Sequence, residues 1–318
     1  MRTGLLIALL SMASLACAQT FPSGPVRLLI GYPPGGSADF TARVVAEEMA
    51  KDLGVPVLVE NRPGAGTTIA SDAVAKARPD GHTVLLNWHQ AIPKAMLKGK
   101  LAYDPEKSFV PVSRVATGTT VLVVHSSVNA ASLRELIARA KAEPGKINAA
   151  SGGHGSAPHL ALAAFEAAAG VKFTTVQYKG GGPATQSVLA GDTQILFATS
   201  PSVMSFIKAG RLKPLVVAMR KGSPAIPGIP GSEEAGLPAF ESTFWFGIFA
   251  PAGTAEAVVA RLHKAAASSL ARPELRAKIE SQGMDATPSA SPQAFAAEVA
   301  EEGPKLEQLV HSLGAKVE

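Results

Sequence analysis

The sequence predicts an α/β protein built from two similar units, and three observations carry that prediction. Short apolar, β-rich runs alternate with runs of helical spacing from residue 26 onward, the pattern of a parallel sheet with helical crossovers. The alternation occurs twice, over 26–88 and again over 119–219, in a chain of 318 residues, a length for roughly two domains. Glycine-rich loops recur where a strand run passes into a helix run, which is where open α/β sheets hold their ligands.

In the first unit, "VRLLIGY" (26–32) reads as a strand and "FTARVVAEEMAKDLG" (40–54) as a helix. Val45, Met49 and Leu53 fall on one face of that helix, and Gly54 is its stop signal. "VPVLVEN" (55–61) is a second strand. "RPGAGTTIASDAVAKARPDG" is a glycine loop, a helix and a Pro-Asp-Gly turn, and "HTVLLNW" (82–88) is a third strand. The second unit repeats the order. "TTVLVVHS" (119–126), "INAAS", "FTTVQY", "TQILFAT" (193–199) and "LKPLVVAM" (212–219) are strands. "SLRELIARAKAEPGK", "HLALAAFEAAAG" (159–170), "ATQSVLAG" and "VMSFIKAG" are the helices between them. The Pro- and Gly-rich "RKGSPAIPGIPGSEEAGLP" is a crossover or linker. "TFWFGIFAPAG" (243–253) is a strand, and the helical remainder is expected to pack back on the first unit. A chain that crosses between units more than once makes a hinge, and the facing strand ends make a cleft.

The N-terminus, "MRTGLLIALLSMASLACAQT", has a basic start at Arg2, a short apolar run from Leu5 to Leu10 and the small-x-small pattern Ala16-Cys17-Ala18. These features read as a secretory signal peptide over 1–18. Cys17, the only cysteine, lies in a weak lipoprotein-type context. Cleavage after Ala18 leaves a chain with no disulfide and no thiol chemistry. With 47% hydrophobic residues and 17% charged ones the chain can bury ample core, and its aromatic content of 5% is poor for nucleic-acid stacking. The net charge of +5 is dispersed without a basic run, so neither nucleic acid nor a polybasic membrane patch is indicated.

Five junctions share a composition: "PPGGSADF", "RPGAGTTIA", "SGGHGSAPHL", "YKGGGPATQ" and "TSPSVMSF". Each places small or glycine residues at a helix start, where backbone N–H groups lack partners and carry partial positive charge. Several such starts converging on one cleft would hold an anion without an arginine. Taken singly, each loop reads first as a turn with an N-cap, and only the five together favour a ligand site; Ser37, Thr67, Ser156 and Ser200 either cap or donate to a ligand. Nucleotide motifs fail: "GYPPGGSAD" lacks the P-loop lysine, and "GAGTTI", "GGGPAT" and "GHGSAP" lack the third glycine of a dinucleotide fingerprint. Ser156 beside His154 and His159 admits a hydrolase, yet no Gly-x-Ser-x-Gly elbow exists and the histidine spacing matches no strong metal pattern. His159 orients its loop or touches ligand. Asp39 is either a favourable helix-start charge or a selector that accepts a hydrogen bond from the ligand. Trp88 and His89 wall a pocket, or Trp88 packs in the core. Trp245 reads as core or interdomain packing.

The ordered motifs "FPSGPVRLLIGYPPGGSADFTARVVAEEM", "VENRPGAGTTIASDAVAKARPDGHTVLL", "LAYDPEKSFVPVSRV", "YKGGGPATQSVLAGDTQILF", "KAGRLKPLVV" and "FGIFAPAGT" resemble the Bug/TctC family over residues 21 to 315. These are periplasmic substrate-binding receptors of tripartite tricarboxylate transporters. The resemblance implies a two-domain periplasmic binding protein, a Venus flytrap, with the ligand cleft between the domains. Its ligand would be a di- or tricarboxylate, an amino acid or an aromatic acid, gripped by backbone amides, hydroxyls and waters. The first family loop corresponds to Pro33–Asp39, and the second-domain loops to Ser151–His159, Gly180–Ala184 and Ala198–Ser200.

Together these readings give a ligand-binding set of Tyr32, Pro34, Gly36, Ser37, Ala38, Asp39, Gly66, Thr67, Trp88, His89, Ser151, Gly155, Ser156, His159, Gly181, Pro183, Ala184, Thr199 and Ser200. One departure is informative: "NWHQAIP" stands where many relatives carry a small residue after the "HTVLL" strand. A large side chain there narrows the pocket or stacks on an aromatic acid, and Tyr32 adds a hydroxyl where Phe is frequent. The expected domains are 19–124 with 240–318, and 125–239. No catalytic residue, metal or cofactor is expected, and the partners are a small carboxylate and the membrane components of a transporter, with the chain a monomer in the periplasm. The alternatives are an orphan sensory binding protein and a secreted hydrolase using Ser156.

Overall fold

The computed structural model describes residues 21–89 and 101–312. The expected signal peptide, Cys17 and the segment after His89 lie outside the described residues. The first unit opens with β1 (Val26–Ile30), α1 (Ser37–Leu53) and β2 (Val57–Asn61). A 3-10 turn (Ala65–Thr67), α2 (Thr68–Ala75) and β3 (Thr83–Asn87) follow. Strand β1 lies parallel to β2 on one side and to β3 on the other. The Val45, Met49 and Leu53 face of α1 is buried against this sheet. Gly54 ends the helix in the left-handed region (φ 73°), its N–H bonded to the Ala50 carbonyl, a conformation that costs glycine little.

The long strand β4 (Phe109–Val124) then begins ten residues before the predicted start at 119. Pro111 hid this part of the strand, because a proline within a run argues against a central strand. The structure absorbs it at a bulge: the register with β9 shifts between Pro111 and Ser113, and again between Arg114 and Ala116. The second unit follows as α3 (Leu133–Ala142), β5 (Asn148–Ser151), α4 (Ala157–Ala169), β6 (Thr174–Gln177) and α5 (Gly181–Ala190). It closes with β7 (Ile195–Thr199), a 3-10 turn (Ser200–Ser202), α6 (Met204–Lys208) and β8 (Lys213–Val217). Helix α3 starts on a capping pair: Ser132 accepts from the Glu135 N–H, and the Glu135 carboxylate accepts from the Ala131 N–H at 2.7 Å. The chain returns through β9 (Thr243–Pro251), α7 (Glu256–Leu270), α8 (Pro273–Glu280), the short β10 (Met284–Ala286) and α9 (Pro292–Ser312).

The strand order is β2-β1-β3-β9-β4-β7-β5-β6, with β10 and β8 also paired to β4. Strand β4 changes partners along its length. Phe109–Thr119 pair with β9, while Thr120–Val124 pair with β7. At the change, the Thr120 N–H donates to Ser242 O (3.2 Å), the Ser242 N–H to Ala218 O (2.8 Å) and the Ala218 N–H to Thr120 O (2.8 Å). The two chain segments that pass between the ladders therefore run side by side.

One buried cluster gathers the first unit with α7, α8 and α9, including Leu262, Leu275 and Phe295. A second centres on Phe165, whose ring lies 5.0 Å from Phe197, 5.5 Å from Phe240 and 6.2 Å from Phe173. No helix among the described residues is long and apolar enough to cross a membrane.

Central strand β9 is packed to its limit at Gly247, where an added methyl would run into the fully buried Phe295 ring. Gly247→Ala is expected to lower the unfolding free energy by about 1–3 kcal/mol through overpacking, read from urea denaturation. An unchanged midpoint would refute this account of the α9 docking.

Candidate functional site

Loops at the carboxyl ends of β1, β3, β5, β6 and β7, with the turn after β2, meet along one cleft. The first loop, Pro33–Gly36, is held by Asp39. Its Oδ2 accepts from the Gly35 N–H (3.1 Å), and its Oδ1 accepts from Arg43 Nε (3.0 Å) and Asn61 Nδ2 (3.0 Å). Asn61 Nδ2 also donates to Tyr32 O at 3.0 Å, so the end of β2 braces both ends of the loop. Burial works against the charged Asp39 carboxylate, but the hydrogen bonds from Arg43, Asn61 and Gly35 outweigh it and hold the group below its ordinary range. This clasp uses both carboxylate oxygens, and Asp39 does not line the cleft.

The second loop is strained. Gly64, Ala65, Gly66 and Thr67 all have positive φ, at 136°, 44°, 62° and 78°. For the β-branched Thr67 that is an outlier. It persists because the Thr67 hydroxyl accepts from Asn87 Nδ2 (3.1 Å) and the residue packs tightly on Gly31. Helix α2 therefore starts without the side-chain cap that Thr67 offered in sequence.

After β3, Trp88 is largely buried and forms a wall, and its indole N–H has no hydrogen-bond partner among the described residues. His89 lines the cleft on one side and bonds through Nε2 to Val299 O (2.7 Å) on the other. A carbonyl only accepts, so Nε2 carries the proton. Burial pushes the His89 pKa down against the opposing pull of that bond. The same ring meets Trp245 edge-on at 5.7 Å, and the Trp245 indole donates to Glu302 (2.7 Å), which places Trp245 in the packing beneath α9.

Across the cleft, Ser156 caps α4. Its hydroxyl donates to Gly153 O (2.7 Å) and accepts from the His159 N–H (3.3 Å). His159 Nδ1 accepts from the Gly155 N–H (3.2 Å), with the His154 ring edge-on at 5.4 Å. Neither contact makes His159 a base toward Ser156, so the geometry of a nucleophile is not assembled. Gly181 begins α5, and the Thr199 hydroxyl pairs with Ser202 (3.0 Å). The two sides approach closely. A methyl built on Gly180 (φ 120°) would sit 2.9 Å from Pro33 Cδ, and one on Gly66 would sit 3.6 Å from His154 O. At Gly180 a side chain would collide with Pro33, whereas at Gly66 the contact is an ordinary one and it is the positive φ that favours glycine.

Between them lie two adjoining cavities. A recess of about 30 Å³ is lined by Tyr32, Pro33, Gly36, Ser37, Ala38, Trp88, Gly152, Ser156, Ala157, Pro158, Gly181, Thr199, Phe244 and Phe246. A chamber of about 520 Å³ shares Tyr32, Pro33, Trp88, Gly152 and Ser156 with it and extends along Gly64–Thr67, His89, His154, Gly155 and Gln177–Gly180. Three helix starts, those of α1, α4 and α5, converge on the recess. The Ser37 hydroxyl and the Tyr32 phenol have no hydrogen-bond partner among the described residues. Burial pushes the Tyr32 phenol up to about 12, so it stays a donor. No acidic residue among the described residues lines either cavity. Among the described residues, no group of three or more His, Cys, Asp and Glu side chains could hold a metal ion.

Of the residues expected from sequence, Tyr32, Gly36, Ser37, Ala38, Gly66, Thr67, Trp88, His89, Gly155, Ser156, Gly181 and Thr199 come together on these walls. The others do not. Pro34 and Pro183 are exposed, and Ala184 is packed in the core. The Ser151 hydroxyl is buried with no hydrogen-bond partner among the described residues, and His159 stands behind its loop. Ser200 donates to Gly283 O (2.8 Å), joining the second unit to the segment before β10. Sequence reasoning missed Gln177, Lys179, Phe244 and Phe246. Lys179 had a signal in its place at the end of a strand run, whereas the two phenylalanines read as ordinary core of β9.

The model of the "Tripartite tricarboxylate transporter family receptor", TctC, matches residues 41–315. Protein BugT of Bordetella pertussis is 34% identical over 318 residues, covering 99% of this chain and 97% of that protein. The structure of the periplasmic binding protein BugD superposes with a TM-score of 0.86 at 30% identity, over 93% of this chain and 99% of that one. MatC from Rhodopseudomonas palustris with bound malate gives a TM-score of 0.84 at 31% identity, over 91% and 100%.

Asp39→Ala is expected to remove about 1.5–3 kcal/mol of stability, the usual worth of hydrogen bonds to a charged group, in a urea titration. An effect within error would show that the clasp holds nothing. His159 gives a pH signature. Burial first, and His154 second, lower its pKa from 6.5 to about 4. The unfolded chain takes up the proton first, so stability is complete above 6.5 and declines as pH falls from 6.5 toward 4. His159→Asn should flatten that decline in denaturation midpoints measured between pH 7 and pH 4.5. An unaltered slope would assign the loss to other groups.

Proposed function

Since the chain belongs to the tripartite tricarboxylate transporter receptor family, TctC, a family of periplasmic solute-binding proteins, we propose that it captures a small carboxylate in the recess and delivers it to the membrane components of such a transporter. One observation carries the reading. Three helix starts face one recess together with donors of Ser37, Tyr32 and Trp88 that have no partner among the described residues, and none of the described residues that line it is acidic. Helix starts attract anions through unpaired N–H groups and the helix dipole. The size agrees: a water-sized group needs roughly 10–15 Å³ of such space, and the recess of about 30 Å³ suits the two oxygens of a carboxylate. The malate bound by MatC supports the same ligand chemistry here.

The mechanism follows from the crossing. We take the hinge to lie where β4 changes partners at Thr119–Thr120 beside Ser242–Thr243, which moves the expected domain boundaries from 124 back to 119 and from 240 on to 243, because Thr120–Val124 and Phe240 pack with the second unit. A carboxylate in the recess touches helix starts from both domains, so only the closed arrangement completes its contacts. The ligand then shifts the population toward closed. Closure excludes water and strengthens the polar contacts. Residues 1–18 would direct export and be removed. Ser156, bound to backbone on both sides, acts as a cap and not as a nucleophile.

Calorimetry on protein stripped of co-purified ligand, against malate and a panel of di-, tri- and aromatic carboxylates, tests this. Ser37→Ala and Trp88→Phe should each weaken binding tenfold or more, since a hydrogen bond to a charged group is worth roughly 1.5–3 kcal/mol. Failure of every carboxylate to bind or to raise the melting temperature would overturn the reading.

A further inference from the structure

The recess accounts for one end of a ligand; the chamber beside it describes the rest. This inference rests on the reading of the recess as the seat of a carboxylate. The chamber of about 520 Å³ falls in the roughly 300–1,000 Å³ range of pockets that enclose drug-sized molecules. That is more space than a short aliphatic diacid fills. Its walls carry rings. Trp88 stands at the end of β3 on one side, and His154 follows β5 on the other. Tyr32 lies at the junction with the recess.

The charge of the chamber is one-sided. Lys179 lines it, no Asp or Glu among the described residues does, and Asp39, the acid nearest in sequence to the recess loop, is engaged by Arg43, Asn61 and Gly35. The Lys179 ammonium makes no hydrogen bond or ion pair among the described residues. It lines the chamber and not the recess, so it is positioned for a part of the ligand other than the first carboxylate. An ammonium group on the ligand would enter the chamber with no counter-charge, and burying a charge without a partner is costly.

We propose that the ligand is a planar ring carrying two acidic groups on opposite sides. One sits in the recess, the ring lies between Trp88 and His154, and the second group pairs with Lys179. Lys179 thereby selects diacids over monoacids, and the acid-free walls reject acids that bear an ammonium group. Aliphatic amino acids are poor ligands for the same reason.

Calorimetry with ligand-stripped full-length protein tests this with four probes: benzene-1,4-dicarboxylate, benzoate, butanedioate and 4-(aminomethyl)benzoate. The expected result is that the aromatic diacid binds at least tenfold tighter than the other three. Lys179→Met should weaken the diacid tenfold or more while changing benzoate less than threefold, and Lys179→Arg should restore most of the loss. A purely structural role for Lys179 would weaken both acids alike, and that outcome overturns the proposal. So does tightest binding of butanedioate, or equal binding of the aminomethyl analogue. If benzoate binds as tightly as benzene-1,4-dicarboxylate, the assignment of a second acidic group to Lys179 is wrong and the proposal falls. If no probe binds while malate or another acid of the wider panel does, this proposal falls and the recess reading stands; if none of that panel binds either, both fall.

Discussion

Strand β4 has to serve two ladders at once. Its first eleven residues, Phe109–Thr119, pair with β9, and its last five, Thr120–Val124, pair with β7. Every loop around the cleft is carried by a strand attached directly or indirectly to one end or the other of β4. The partner change is closed by three backbone hydrogen bonds among Thr120, Ser242 and Ala218. Backbone bonds of this kind have no side chain to lose, and they tolerate small rotations that a packed core does not. The Thr120 hydroxyl at this point is buried with no hydrogen-bond partner among the described residues, so the side chain adds no polar tie to them.

The cleft presents helix starts and loop backbone, and the side chains behind them serve mainly to hold that backbone still. Asp39 spends its charge on Gly35, Arg43 and Asn61. Ser156 and His159 fix the start of α4, and Asn87 holds Thr67 in a conformation it would otherwise avoid. Strain at functional loops persists only when neighbours over-determine it, and here Asn87 and the close packing of Gly31 do so. Further out, α1 is tied to the returning helices by ion pairs, with Glu48 between Lys51 and Arg272 and Asp52 against Arg261. The C-terminal helices therefore steady the same helix whose start faces the recess.

Much of the fold was legible because it is written locally. Gly54 and Gly170 end α1 and α4 in left-handed conformations, as their positions after periodic runs implied. The apolar face of α1 is buried as its spacing required. The first half of β4 was not legible: Pro111 is a breaker by local rules, and only pairing with β9 supplies the bulge that admits it. The three-residue β10 was illegible for a related reason, since so short a strand exists only through its pairing with Gly118, Thr117 and Ala116.

For the site, the sequence by itself determined the kind of loops that build it: glycine and small residues at strand ends, helix starts behind them, and neither a P-loop lysine nor a nucleophile elbow. These follow from neighbours along the chain. What only the tertiary structure decided is which of those residues face the cavity. Asp39 points back because Asn61, 22 residues away, meets it. Ser200 turns to Gly283, 83 residues away, while Phe244 and Lys179 come forward to the walls. A side chain's direction is set by which distant backbone arrives beside it, and that depends on the ladder β4 joins, not on the residues adjacent in sequence.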